Sequence, residues 1–146
     1  MSVYNELLDQ ARALLDGERD RTANAANLSS LIYHSLPDVN WAGFYWLKGG
    51  ELVLGPFQGK PACVRIPLGK GVCGTAMRER RTIVVPDVHA FPGHIACDSA
   101  SNSEIVVPVG DWGVLDLDSP NFDRFDAVDA RNLEALVAVF LDATDP

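Results

Sequence analysis

At 146 residues the chain is long enough for one domain with its own core, and 47% hydrophobic with 22% charged residues indicates neither disorder nor a fibrous repeat. A formal net charge of −8 argues against nucleic acid, because phosphate contacts need a basic face and the densest basic stretches, Arg78 with Arg80 and Arg81, and Arg19 with Arg21, are short. No apolar run reaches membrane-spanning length, the N-terminus lacks a basic leader region, and three cysteines do not make a disulfide framework, so a cytoplasmic protein without a membrane partner is expected.

Residues 3–15 set Val3, Leu7, Leu8, Ala11, Leu14 and Leu15 on one stripe, which predicts an amphipathic helix with Ser2 as its cap. Ala25, Leu28, Ile32 and Leu36 repeat at helical spacing and predict a second helix that Pro37 ends. "WAGFYWLKGGELVLGPF" then reads as two strands joined by a turn through Lys48–Gly50. "ACVRIPL" is another short strand, "GKGVCGTAMRERR" begins with glycines and becomes helical, and "TIVVPD" returns to strand. Residues 86–103 predict a long loop with one helical turn. "EIVVPV" and "WGVLDLD" read as strands around a two-residue turn at Gly110–Asp111.

The closing helix is predicted over 125–142, with Phe125, Val128, Leu133, Leu136, Val137, Phe140 and Leu141 facing inward. This gives one α+β domain over 1–146, with N-terminal helices over 1–38, a mostly antiparallel sheet with its loops over 40–120, and the C-terminal helix within 123–143.

Gly69–Gly74 matches G-x-G-x-x-G between a strand and a helix, yet no acidic residue follows at the right distance and the flanking strands read as hairpins. A tight strand-to-helix turn explains it better than a nucleotide site. Cys63, Cys73, Cys97, His89 and His94 supply zinc-type donors, but no C-x-x-C or H-x-x-x-H pair exists, so no metal and no cofactor is expected. Among the thiols, Cys73 at a helix start and Cys63 on an alternating strand both have plain packing explanations. Cys97 lies in a loop rich in Asp, Ser and Asn, and the residues alone leave it equally open to a reactive or an inert role.

Asp116 and Asp118 alternate with Leu115 and Leu117, so both carboxylates share one strand face, either as a solvated edge or as an acidic wall for a cation such as an ammonium. Glu104 opens the partner strand. Trp41, Gly43 and Tyr45 share one face of the first strand and Ala42, Phe44 and Trp46 the other; one set packs in the core and the other is available to line a pocket.

Together, "NWAGFYW", "GPFQGKPACVRIPLGKGVCGTA", "VPDVHAFPGHIACDSASNSEIVVP" and "GVLDLDSPNFDRF", spanning about Asn40 to Phe140, resemble the free methionine-(R)-sulfoxide reductases, a catalytic branch of the GAF domains. The resemblance implies that Cys97 attacks the sulfoxide sulfur, that methionine leaves, and that a sulfenic acid remains. Cys63 then resolves it as a disulfide, with Cys73 the alternative, and a thioredoxin-type reductant resets the enzyme. Glu104 is assigned to the sulfoxide oxygen, since an oxygen must be protonated to leave and crowded acids hold protons. Asp116 and Asp118 are assigned to the α-ammonium, Trp41 and Tyr45 to the methyl–sulfur end, and backbone N–H groups near Cys97 to the carboxylate. A homodimer is compatible with the terminal helices. The rival from another class is a GAF sensor that binds a small ligand without chemistry.

The family's hairpin before "GVLD" is usually longer. A two-residue turn at Gly110–Asp111 pairs Ile105 with Asp116 and Glu104 with Leu117, which turns Glu104 away from the aspartates. If all three acids serve one site, a bulge near Pro108 or Gly113, or a longer turn, must restore the register.

Overall fold

The computed structural model describes residues 3–94 and 100–146, so Ser2 and Cys97, with the backbone around Cys97, lie outside the described residues. Helices α1 (Val3–Leu15) and α2 (Arg21–Ser35) come first, followed by strands β1 (Trp41–Lys48), β2 (Glu51–Gly59) and β3 (Arg65–Pro67). Then come α3 (Gly71–Glu79), β4 (Ile83–Val85), β5 (Ser103–Val109), β6 (Gly113–Ser119) and α4 (Ala127–Ala143). The six strands form one sheet in the order β3-β2-β1-β6-β5-β4, and every pairing is antiparallel.

Local chemistry explains the element ends. The Asp20 carboxylate accepts from the Ala23 N–H at 2.9 Å and opens α2. Asp126 and Asp129 form a reciprocal capping box at the start of α4. Between β1 and β2, Gly49 and Gly50 both take positive φ, as a two-residue hairpin turn matched to strand twist requires.

Both faces of the sheet are covered, which is why six consecutive residues of β1, Trp41–Trp46, are buried. On one face Ala42, Phe44 and Trp46 pack with α1, α2 and α4, including Leu28, Ile32, Leu136 and Phe140. Buried Asp129 accepts a 2.5 Å hydrogen bond from the Tyr4 hydroxyl and so ties α1 to α4. On the other face Trp41 and Tyr45 pack with Val72, Cys73 and Met77 of α3.

Three residues of the predicted helix stripes are corrected: Val3, Leu14 and Val128 are exposed. Val3 and Val128 lie at helix starts and face outward, because their neighbours Tyr4 and Asp129 are the residues that turn inward there. Among the described residues no helix is long and apolar enough to cross a membrane.

Candidate active site

The site is built on the second sheet face, where β1, β6 and β5 lie side by side. Trp41 pairs with Asp118, Gly43 with Asp116 and Tyr45 with Val114. Across the next ladder Glu104 pairs with Asp118 and Val106 with Asp116. Directly paired residues share a face, so Trp41, Tyr45, Glu104, Asp116 and Asp118 all point the same way. All five line one cavity.

This register corrects the two-residue turn. The last pair of the hairpin is Val109 with Gly113, which leaves Gly110, Asp111 and Trp112 as a three-residue turn. Pro108 pairs regularly with Val114, so no bulge is needed there, and Trp112 belongs to the turn rather than to β6. The added loop residue moves the pairing by one and swings Glu104 onto the face of the aspartates. Gly113 is obligatory at the end of the turn, because a Cβ there would run into the Tyr45 carbonyl oxygen.

The glycine-rich stretch acts as a strand-to-helix turn, as its context suggested. Gly74 lets α3 sit against β3, since a Cβ at that position would meet the Pro67 carbonyl. The tight turn delivers Cys73 from the first turn of α3 onto the acids. Its Sγ lies 3.9 Å from Glu104 Oε2. Donor atoms of Cys73, Glu104 and Asp116 all fall within 4.8 Å of one another. The three residues are 4%, 7% and 5% exposed, and Asp116 Oδ1 has no hydrogen-bond partner among the described residues.

Such crowding sets the protonation states. Burial, then the neighbouring Asp116 charge, pushes the Glu104 carboxyl well above the usual carboxylate range. Asp116 is driven the same way by burial and by Asp118. Burial, with Asp116 next, also pushes the Cys73 thiol and the Tyr45 phenol up. A solvated edge is therefore excluded for Asp116, while Asp118 beside it is half-buried.

The aromatic wall is stacked and hydrogen-bonded. Trp41 stacks on Tyr45 with ring centroids 5.9 Å apart and on Phe57 at 5.1 Å. Gly43 makes room for this stack, because a Cβ there would collide with Phe57 and come within 2.9 Å of the Trp41 ring. The Trp41 indole N–H donates to the Lys60 carbonyl at 3.0 Å, and the Tyr45 hydroxyl donates to the Cys63 carbonyl at 3.0 Å.

Cys63 is corrected from a strand to the loop before β3; it is half-buried and disulfide-bonded, whereas Cys73 is a free thiol. The assignments to Cys97 and its backbone N–H groups fall outside the described residues. Lys70, Val72, His94 and Ser101 also line the cavity; of these the sequence reading weighed only His94, as a zinc-type donor. Lys70 and Val72 follow from the glycine turn. Burial, then His89, lowers the His94 pKa.

A GAF domain family model matches residues 22–143. The free methionine-R-sulfoxide reductase of Escherichia coli (strain K12) is 54% identical over 139 residues, covering 92% of this chain and 84% of that protein. A solved structure of fRMsr of Staphylococcus aureus in its reduced form superposes with a TM-score of 0.93 at 53% identity, covering 96% of this chain and 94% of that one. The free methionine-R-sulfoxide reductase of Neisseria meningitidis, solved in complex with its substrate, gives a TM-score of 0.93 at 44% identity and covers 96% and 87% of the two chains. With the acids, the thiol and the aromatic stack gathered in one cavity of that fold, this chain belongs to the free methionine-R-sulfoxide reductase family of GAF domains.

Proposed function

We propose that this chain, an oxidoreductase of that family, reduces free methionine-(R)-sulfoxide to methionine with Cys97 as nucleophile. The single observation that carries the reading is the cavity itself. It joins a proton-holding Glu104 to two aspartates and to the Trp41–Tyr45 stack.

In this mechanism the aromatic stack seats the methyl and sulfur, which pack well against rings. Asp116 and Asp118 hold the α-ammonium, and the orphan Asp116 Oδ1 supports that role, since a buried acceptor without a partner calls for a donor. The Cys97 thiolate attacks sulfur while Glu104 protonates the sulfoxide oxygen. The hydroxyl passes from the substrate sulfur to the Cys97 sulfur as the S–O bond and the newly formed S–S bond break, so methionine leaves as the thioether and Cys97 remains as a sulfenic acid. The Cys63 thiol then attacks the sulfenic sulfur and water departs, leaving a Cys63–Cys97 disulfide.

The disulfide-bonded state of Cys63 beside a free Cys73 supports Cys63 as the resolving residue. A thioredoxin-type dithiol of the cytoplasm returns two electrons by exchange at Cys63. Val64, apolar and 60% exposed next to it, suits a reductant's approach. Requirements for both an ammonium and a carboxylate select the free amino acid over a peptide-bound residue.

The test is methionine release from the free (R)-sulfoxide with dithiothreitol or thioredoxin. The wild-type chain is expected to turn over, and Cys97→Ser to be inactive. Turnover surviving in Cys97→Ser overturns the mechanism, and ligand binding without any turnover in the reduced wild type supports a sensor instead.

A further inference from the structure

Cys73 takes no part in the reduction as proposed, yet it stands buried between two carboxyl groups. We infer that the reduced chain binds Zn²⁺ at Cys73, Glu104 and Asp116, with the fourth position open to the cavity. This goes beyond the reductase reading, and only its competition with substrate rests on that reading.

Geometry carries the inference. The three donor atoms lie within 4.8 Å of one another, brought together from α3, β5 and β6. Zinc bonds of about 2.3 Å to sulfur and about 2.1 Å to oxygen, at tetrahedral angles, separate the two donors by about 3.6 Å. Cys73 Sγ and Glu104 Oε2 are already 3.9 Å apart, so a small side-chain contraction completes the pair. Asp116 is 5% exposed and its Oδ1 lacks a partner among the described residues, which independently calls for a donor or a cation at that point.

The donor set chooses the metal. One thiolate with two carboxylates suits a borderline ion such as Zn²⁺, whereas Mg²⁺ and Ca²⁺ demand six or more oxygens. Three protein ligands with an open position match the pattern of accessible rather than structural zinc sites. The acids a zinc ion occupies are the ones proposed to hold the sulfoxide oxygen and the ammonium, so metal and substrate exclude each other. All three donors must shed protons for the ion to enter, which makes binding tighten as pH rises.

The experiment uses Co²⁺ as a spectroscopic stand-in for Zn²⁺ on the Cys63→Ser/Cys97→Ser double variant, whose remaining thiol is Cys73. Folding is first checked by circular dichroism. A thiolate-to-cobalt charge-transfer band saturating at one ion per chain, and bleached by added Zn²⁺, is the expected result. Asp116→Asn on this background should weaken binding at least about tenfold, the loss that removing even an outer-shell partner produces.

Absence of the band, or unchanged affinity in Asp116→Asn, overturns the site. If the double variant does not fold, the same titration is run on phosphine-reduced wild type against Cys73→Ser. A band that persists in Cys73→Ser then overturns it. These readouts involve no turnover, so their failure is distinct from failure of the reductase reading.

Discussion

Glu104 stands directly opposite Asp118 across the β5–β6 ladder, and the three residues between Val109 and Gly113 put it there. This pairing adds a third carboxyl to the face on which Asp116 and Asp118 already lie. Glu104, pushed up by burial first and by Asp116 next, holds its proton, which is the state a sulfoxide oxygen needs beside it.

Replacing that acid tests its role. Glu104→Gln keeps the shape and removes the transferable proton, so kcat should fall by about 10²–10⁴ while KM changes little, the range for loss of general acid catalysis. Steady-state methionine release measures both. A kcat within tenfold of wild type would refute the assignment.

The same group makes stability depend on pH. Its folded pKa lies above the ordinary 4.5, so between those two values the native state binds more protons than the unfolded state. Stability is thus fully present below pH 4.5 and is lost as pH rises toward the folded value. Urea titrations across pH should show this decline in wild type and a shallower one in Glu104→Gln. A slope of opposite sign at Glu104 would contradict the burial argument.

The resolving cysteine separates two kinds of turnover. Cys63→Ser should release methionine with dithiothreitol but fail with thioredoxin, whereas Cys73→Ser should retain thioredoxin-dependent activity. Mass spectrometry after one turnover should find a trapped sulfenic acid in Cys63→Ser. The reverse pattern would make Cys73 the resolving residue.

Trp41 supports both the fold and the pocket. Its replacement by alanine empties the stack on Tyr45 and Phe57 and should cost about 3–5 kcal/mol in chemical denaturation, as for other buried aromatics. Trp41→Phe should recover most of the stability and leave a raised KM for the sulfoxide. An unchanged KM would remove Trp41 from the substrate's surroundings.

Register itself can be perturbed. Deleting Asp111 shortens the turn to two residues and removes its exposed pair with Arg80, which is worth little by itself. The chain should remain folded by circular dichroism, and activity should fall at least about a hundredfold, because a one-residue slip turns Glu104 away from the cavity. Full activity would show that the strands absorb the deletion elsewhere.

Sequence pattern alone determined the helices α1, α2 and α4, the hairpin with its turn through Lys48–Gly50 and the two-faced character of β1, because these depend on periodicity, caps and glycine conformations within a few residues. It also separated Asp116 and Asp118 from Leu115 and Leu117, since a strand alternates without needing to know its neighbours. What it could not determine was whether Glu104 joined them. That depends on one residue of turn length between Val109 and Gly113, and on the packing that leaves no room for a Cβ at Gly113. Nor could spacing reveal that Cys73, more than thirty residues from Glu104 in the chain, closes the cluster at 3.9 Å. Only the tight passage from β3 into α3 brings it there. Burial of all three groups together, and the protons they hold as a result, belongs to the tertiary structure.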